Sequence, residues 1–389
     1  MNTALSHTIE TRILSECLES LESGGRPQGG GTAKGDVPSI GGEHLNDSGS
    51  FDFDSMKFIP YDYYERMHKG KIKTNDVLIV KDGATTGKVS FVNAAFPYRN
   101  AAVNEHVFIL RTKSALLQPH YAFFFLHSTL GKHLILKDFH GSAQGGITRG
   151  FVTRIRIPVP PLPIQKQIAA ILDKADAARQ KRRQANQVAE KFLQSAFLEM
   201  FGDPVKNPKG WGMSYVEAVT TSHDNRRIPI ESSIREGRHG DYPYYGASGI
   251  IDYVDDFIFD FETVLIGEDG ANLLARSSPI SFIARGKYWV NNHAHVLAPK
   301  DSMTREYLVY FFNRTDLKPF VSGSAQPKLT AANLSRIPIP VPPVYEQEKF
   351  VALVEKAEGL RLKQRESERE LDNLFGSLMQ RAFRGELVG

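Results

Sequence analysis

Between residues 37 and 110 the apolar residues come in short runs, VPSI, VLIV, KVSFV and HVFIL, with turn residues between them. Runs of that length predict β-strands. Residues 8–22 predict a short helix, and GGRPQGGG (24–31) a loop, because clustered glycines lose too much backbone entropy inside an element. QPHYAFFFLHSTL (118–130) predicts a buried helix with Pro at its start, extended by residues 132–139. IPVPPLP (157–163) then removes backbone donors and fixes φ, which makes a stiff extended lead-in. Beyond it the apolar positions step by four and three: Ile164, Ile168, Ile171, Ala175, Ala178, then Ala185, Ala189, Phe192 and Ala196. That period predicts a coiled-coil helix running to about Phe201, on the order of 55 Å long at ~1.5 Å per residue.

The same pattern returns. TVLIG, ISFIA and HVLAP read as strands, TREYLVYFFN (304–313) as a helix, and IPIPVPP (337–343) as a second lead-in. The helix after it carries Phe350, Leu353, Ala357 and Leu360, then Leu371, Leu374 and Leu378. Both seams turn polar at the middle, at Arg182 in one and at Gln364 and Ser367 in the other. At an offset of 182, GSAQGGITRGFVTRIRIPVPP (141–161) lies over GSAQPKLTAANLSRIPIPVPP (323–343). At an offset of 187, VLIVKDGA (77–84) lies over VLIGEDGA (264–271), and VNEH (103–106) over VNNH (290–293). The chain is therefore two half-chain copies. Residues 1–156 and 204–337 form two globular parts, and residues 157–203 and 338–389 two lead-ins with long helices. The expected fold is α+β: two domains with twisted β-sheets and short helices, separated by two long antiparallel coiled-coil helices. The stretches TSHDNRRIP and REGRHGDYPYYGASG (235–249) read as irregular, basic and aromatic.

Composition narrows the chemistry. Apolar and charged contents of 41% and 24% are ordinary for a globular protein. A net charge of +4 is too weak for a bulk-basic DNA coat, so any nucleic-acid surface must be a local cluster. Cys17 is alone, which leaves neither a disulfide framework nor a cysteine zinc site. The expected compartment is the cytoplasm, since no apolar run reaches the ~18 residues of a membrane span. GATTGKVS (83–90) has three residues between its glycines where a phosphate loop needs four, and reads as strand–turn–strand. His106 and His293 match, as do Asp82-Gly83 and Asp269-Gly270. A lone His reads as a structural hydrogen-bond partner and an acid–Gly pair as turn chemistry. KRR (181–183) reads as a solvated helix face. No catalytic or metal constellation is present in the sequence.

The ordered set resembles the specificity subunit of type I restriction–modification systems. The residues that carry the resemblance are GSAQ…T…R-I-x-I-P-x-P-P-x-x-x-Q, the long helix, the FGDPVKNPKGW junction, and the whole pattern again. YPYYGASG followed by VLIGEDGA is also similar to the target recognition domains of that family. The resemblance implies a DNA reader without chemistry of its own. Each globular part would be a target recognition domain reading one half of a bipartite, asymmetric site in double-stranded DNA. The helices would set the spacer and dock two methyltransferase subunits, with restriction subunits joining that core. S-adenosylmethionine, ATP and Mg2+ would belong to those partner subunits and not to this chain. Candidate DNA contacts are His44, Lys81, Arg99 and Gln144 in the first domain, and Arg226, Arg227, Tyr245, Lys287, Gln326 and Lys328 in the second. The matched GSAQ loops make Gln144 and Gln326 candidates for phosphate or sugar, since a feature shared by two unlike readers cannot distinguish their sites. The alternatives are a protein–protein scaffold with two binding modules on a coiled coil, and a nuclease or NTPase.

Overall fold

The computed structural model describes residues 10–141, 145–323 and 326–387, without the side chains of residues 186, 187, 189 and 190. Two compact units result: Met1–Arg182 with Ser367–Gly389, and Arg183–Glu366. These units cut through both long helices, which the sequence had set apart as segments of their own.

In the first unit a four-stranded antiparallel sheet has the order Leu18–Ser23, Val107–Thr112, Val77–Val80, Val89–Phe91. The two middle strands are almost wholly buried, which is why they read as unbroken apolar runs and not as an alternation. Val77 faces Leu110 and Ile79 faces Phe108. A three-stranded sheet, Lys57–Ile59, Val37–Ile40 and Ala102–Val103, combines one antiparallel and one parallel pair. The helix Pro119–His127 packs Tyr121, Phe124 and Phe125 into the main core with Val77, Ile79 and Phe108. It stops at Ser128, whose extended backbone ends it and whose hydroxyl accepts from Gly131 N at 3.0 Å to start a second helix, Thr129–Leu136. The predicted continuous helix is thus two helices.

Residues 11–23 are not the predicted helix. Thr11–Ile13 is a strand against Arg156–Pro158, Leu14–Cys17 is a single 3-10 turn, and Leu18–Ser23 is the sheet's edge strand. The helix-like spacing of the buried Leu14, Cys17 and Leu18 comes from that one turn.

The second unit repeats this plan. Its four-stranded sheet runs Thr220–Ser222, Ala294–Pro299, Thr263–Gly267, Ser281–Ala284. Its three-stranded sheet is Gly249–Val254, His239–Gly246 and Trp289–Val290. The stretch 239–246 read as irregular is therefore a strand, its alternation hidden by two register shifts against its neighbour. Gly212–Tyr215 pairs with the second proline run as Thr11–Ile13 does with the first.

The long helices are Leu162–Phe201 and Val344–Arg384. A buried glutamine ties each start to its own domain. Gln165 accepts from Gln118 N at 2.8 Å and donates to the carbonyls of Leu116 (3.0 Å) and Pro160 (2.8 Å). Gln347 repeats this with Thr304 N (2.8 Å), Ser302 O (2.9 Å) and Pro342 O (2.8 Å). Tyr121 and Tyr307 add matching hydroxyl bonds to the carbonyls of Pro158 (3.1 Å) and Pro340 (3.0 Å). These contacts explain why the proline run and the following Gln recur together.

Each unit takes the start of one helix and the end of the other. The first buries Ile168, Ala169 and Leu172 beside Phe375, Met379 and Ala382. The second buries Leu193, Ala196, Phe197 and Phe201 beside Phe350, Val354 and Ala357. Ile164, Ala175, Leu353 and Leu378 are half-buried against these cores, and Ile171 and Leu371 are also half-buried. Among the described residues four expected seam positions face solvent: Ala185, Leu360 (53% exposed), Phe192 (56%) and Leu374 (51%). Leu193 and Phe375, the neighbours of the last two, are buried instead. The buried stripe is turned by one residue, about 100°, because it also meets domain aromatics. Phe375 lies 6.3 Å from Phe124, and Phe197 lies 5.5 Å from Tyr307.

Candidate nucleic-acid interface

In both units the second middle strand of the large sheet runs out into an acid–Gly turn. Gly83 and Gly270 hold the left-handed backbone that lets the chain turn there (φ 93° and 104°). Three segments meet at this point in the same way. Lys81 N donates to His106 O (2.9 Å) and Glu268 N to His293 O (2.8 Å). Ile147 N donates to Lys81 O, and Leu329 N to Glu268 O, each at 2.7 Å. Asn104 Oδ1 accepts from His106 N (2.9 Å), and Asn291 Oδ1 from His293 N (2.8 Å). His106 Nδ1 bonds Asp82, and His293 Nδ1 lies 2.8 Å from Asp269 Oδ2. Both imidazoles are close to half exposed, so this polar node is at the surface.

The GSAQ loop springs from the node. In the first unit Phe139–His140 pairs with Gly146–Ile147 at its base. In the second, Ser322 and Lys328 exchange backbone bonds of 2.9 and 2.8 Å. Gln326 is exposed there, while Gln144 lies outside the described residues.

Side chains around the node differ. In the first unit Arg26 Nε donates to Glu105 Oε1 at 3.0 Å, and its Nη2 lies 3.2 Å from His106 Nε2. Lys81 lies 3.6 Å from Asp82 and over the Phe108 ring. In the second unit a buried network replaces these. Arg227 donates to Glu268 (2.6 Å) and to Ala294 O (2.9 Å), and Lys328 Nζ lies 3.1 Å from Glu268 Oε1. The ring nitrogens of buried His295 face the Asp224 carboxylate and the carbonyl of Leu329. Burial pushes both carboxyls up. For Asp224 the hydrogen bonds from His295 and Val296 and the charges of His295 and Arg227 together outweigh burial, and for Glu268 the hydrogen bonds from Arg227 and Lys328 and the charges of His295 and Arg227 do, so both end below their ordinary range. Asp224, Glu268 and His295 bring one donor atom each within 4.8 Å of one another, the chemistry of a metal site. Arg227 and Lys328 already hold the cation positions around Glu268, so the trio is a charge-compensated ion network.

Several expected contacts are therefore structural. Arg227 is half-buried and engaged in that network. Tyr245 is 8% exposed and packs on Phe282 and Tyr288, and burial raises its phenol. His44 is 1% exposed and accepts from Gly41 N at 2.8 Å. All three were chosen for side-chain type in a polar stretch, and burial cannot be read from type alone. Arg99, Arg226, Lys287, Gln326 and Lys328 are exposed. Arg226 stacks on Phe259 (4.8 Å) and Lys287 on Phe257 (4.4 Å). Arg26 and Asn104 were missed. The Asn was visible in the repeated VN-x-H, but Arg26 sits in a glycine-rich loop with no sequence counterpart.

A duplicated α+β unit, each copy ending in the same surface node with unlike side chains around it, defines a two-reader chain. The chain belongs to the family described as the type I restriction modification DNA specificity domain, whose model matches residues 8–190 and 208–369. A type I restriction enzyme specificity subunit of Haemophilus influenzae is 38% identical over 145 residues, which is 37% of this chain and 37% of that relative. The MjaVIII specificity subunit of Methanocaldococcus jannaschii is 20% identical over 350 residues, 81% of this chain and 80% of the relative. The crystal structure of the type I restriction–modification S subunit from M. genitalium aligns with a TM-score of 0.62 at 15% identity, over 97% of each chain, a likeness of fold.

Proposed function

We propose that this chain is the DNA sequence-specificity subunit of a type I restriction–modification complex. Each unit reads one half of a bipartite, asymmetric site, the helices set the spacer and dock methyltransferase subunits, and restriction subunits join that assembly. The chain itself does no chemistry. S-adenosylmethionine, ATP and Mg2+ serve the partner subunits.

The observation that carries this reading is the duplication of one node with different side chains around each copy. A shared main-chain frame suits the uniform sugar–phosphate backbone, and unlike surroundings suit two different base sequences. The proposed DNA-associated role belongs in the cytoplasm; among the described residues no helix is long and apolar enough to cross a membrane. The test is methylome sequencing of a host in which the chain is co-expressed with its methyltransferase. The expected motif has two unlike halves around a fixed unread spacer, one helical turn or so between half-site centres, ~34–36 Å. A palindromic motif, or a single contiguous one, would contradict two unlike readers.

A further inference from the structure

We infer that Glu43 in the first unit and Ser248 in the second are matched base-reading positions, and that Glu43 takes an exocyclic base amino group. This rests on the function proposed above and assigns specific side chains to it.

The match comes from strand register. Ser39 and Ile40 pair in parallel with Ala102 and Val103, as Tyr244 and Tyr245 pair with Trp289 and Val290. Asn104 N donates to Ile40 O (2.9 Å) and Asn291 N to Tyr245 O (3.0 Å). Gly41, Gly42 and Glu43 therefore occupy the places of Gly246, Ala247 and Ser248. The turns rest on equivalent ground. A Cβ on Gly42 would lie 2.8 Å from Val80, and a Cβ on Gly267, the counterpart of Val80, would lie 2.8 Å from Ala247 O. The small residue has changed sides, and the close approach of turn to strand is kept.

Both turns adjoin the node. A Cβ on Gly41 would come within 2.7 Å of Asn104 Nδ2, and one on Gly246 within 3.4 Å of Asn291 Nδ2. These are the asparagines whose side chains hold the His106 and His293 turns. Glu43 and Ser248 are exposed at the two apices. Glu43 forms no hydrogen bond or ion pair among the described residues, while its nearby cation Arg26 is engaged by Glu105. Beneath it, His44 is buried and fixes the turn by accepting from Gly41 N, which makes it a positioning residue. In the second unit Gly246 faces Gly249 across a turn holding Ala247 and Ser248, with Ile250 and Ile251 exposed beside it.

An exposed carboxylate on a turn whose base is fixed is unfavourable against DNA unless it meets a donor. In the major groove that donor is the amino group of cytosine or adenine. A serine hydroxyl accepts or donates, and flanking isoleucines suit a thymine methyl. The two apices thus differ where two readers of different bases must differ.

The experiment uses the full chain assembled with its methyltransferase subunits on a DNA library randomised at each position of the wild-type motif. Methylation is read by sequencing. E43A should reduce discrimination about tenfold at one base pair of the half-site read by the first unit, the size of one good base contact. E43Q should move preference at that pair toward adenine, and S248A should act only in the other half. A clear wild-type motif with E43A and E43Q leaving every position unchanged overturns this assignment alone. An equal weakening of both halves overturns it too. A wild-type complex without a two-part motif overturns the functional reading on which it rests.

Discussion

At the end of the central strand the first unit has Lys81 and the second has Glu268, yet the main chain around them is bonded in the same way. Lys81 is a part-exposed cation at the node's rim. Glu268 is a buried anion whose charge is balanced by Arg227 and Lys328. The comparison teaches that the node is kept by backbone hydrogen bonds and by the Asp–His and Asn–His contacts, all of which are repeated. Charge can invert where only a side chain is involved.

The largest effect should come from removing a repeated support. Gln165→Ala or Gln347→Ala deletes a buried side chain that makes three hydrogen bonds in the first unit and four in the second, and leaves backbone groups unpaired, for about 2–4 kcal/mol. Denaturant unfolding should show both variants destabilised to a similar degree. If one were silent, the two supports would not be equivalent.

Next comes Glu268→Gln, expected to cost about 1–3 kcal/mol because it removes the anion that Arg227 and Lys328 share in a partly buried network, leaving Arg227 with the Asp224 carboxylate. Lys81→Ala at the matching position should cost less, about 0.5 kcal/mol, as expected for a part-exposed charge at the rim. Equal costs, read by thermal unfolding, would break the contrast.

A pH difference of similar size follows from another matched pair. His127, at the end of the first unit's aromatic helix, lies 3.3 Å from Val89 O, and the counterpart Asn313 donates to Ser281 O at 2.8 Å. Burial, helped by the Lys132 charge, lowers the His127 imidazole to about 4. The unfolded chain therefore takes up this proton first. Its contribution is complete above the ordinary value of ~6.5 and is lost as pH falls toward about 4, by up to roughly 3 kcal/mol. Asn313 does not titrate. The depressed Asp224 and Glu268 carboxyls keep their contribution until pH drops below their ordinary range of about 4. His127→Asn should flatten the first unit's loss between those limits in pH-dependent hydrogen exchange. An unchanged slope would show that His127 is not its source.

The smallest effect concerns the exchanged small residues. Gly267→Val places a Cβ 2.8 Å from Ala247 O and should cost about 1–3 kcal/mol, locally in the second unit, since a backbone carbonyl yields little. Thermal unfolding of that variant showing no loss would mean that the turn is free to move.

Much of this was legible in the sequence because it is repeated. The acid–Gly turn, VN-x-H and the proline run with its Gln appear twice, and each marks a contact that both units repeat. What was hidden depends on packing in three dimensions. Leu14, Cys17 and Leu18 imitate a helix because one 3-10 turn joins two strands. Phe192 and Leu374 fit a two-helix period, but domain aromatics rotate the buried stripe toward Leu193 and Phe375. Arg227 and Tyr245 have the chemistry of DNA contacts and serve as supports, Arg227 half-buried in its ion network and Tyr245 buried. Glu43 was passed over because its match with Ser248 lies in strand register and not in shared letters.

Two unlike readers on one chain should act independently of each other. Exchanging residues 1–156 for the first domain of a relative, then sequencing the methylome of cells carrying the hybrid with the same methyltransferase, tests that independence most directly. One half of the motif should change while the other half and the spacer stay as they were. A motif changed in both halves, or in neither, would contradict it.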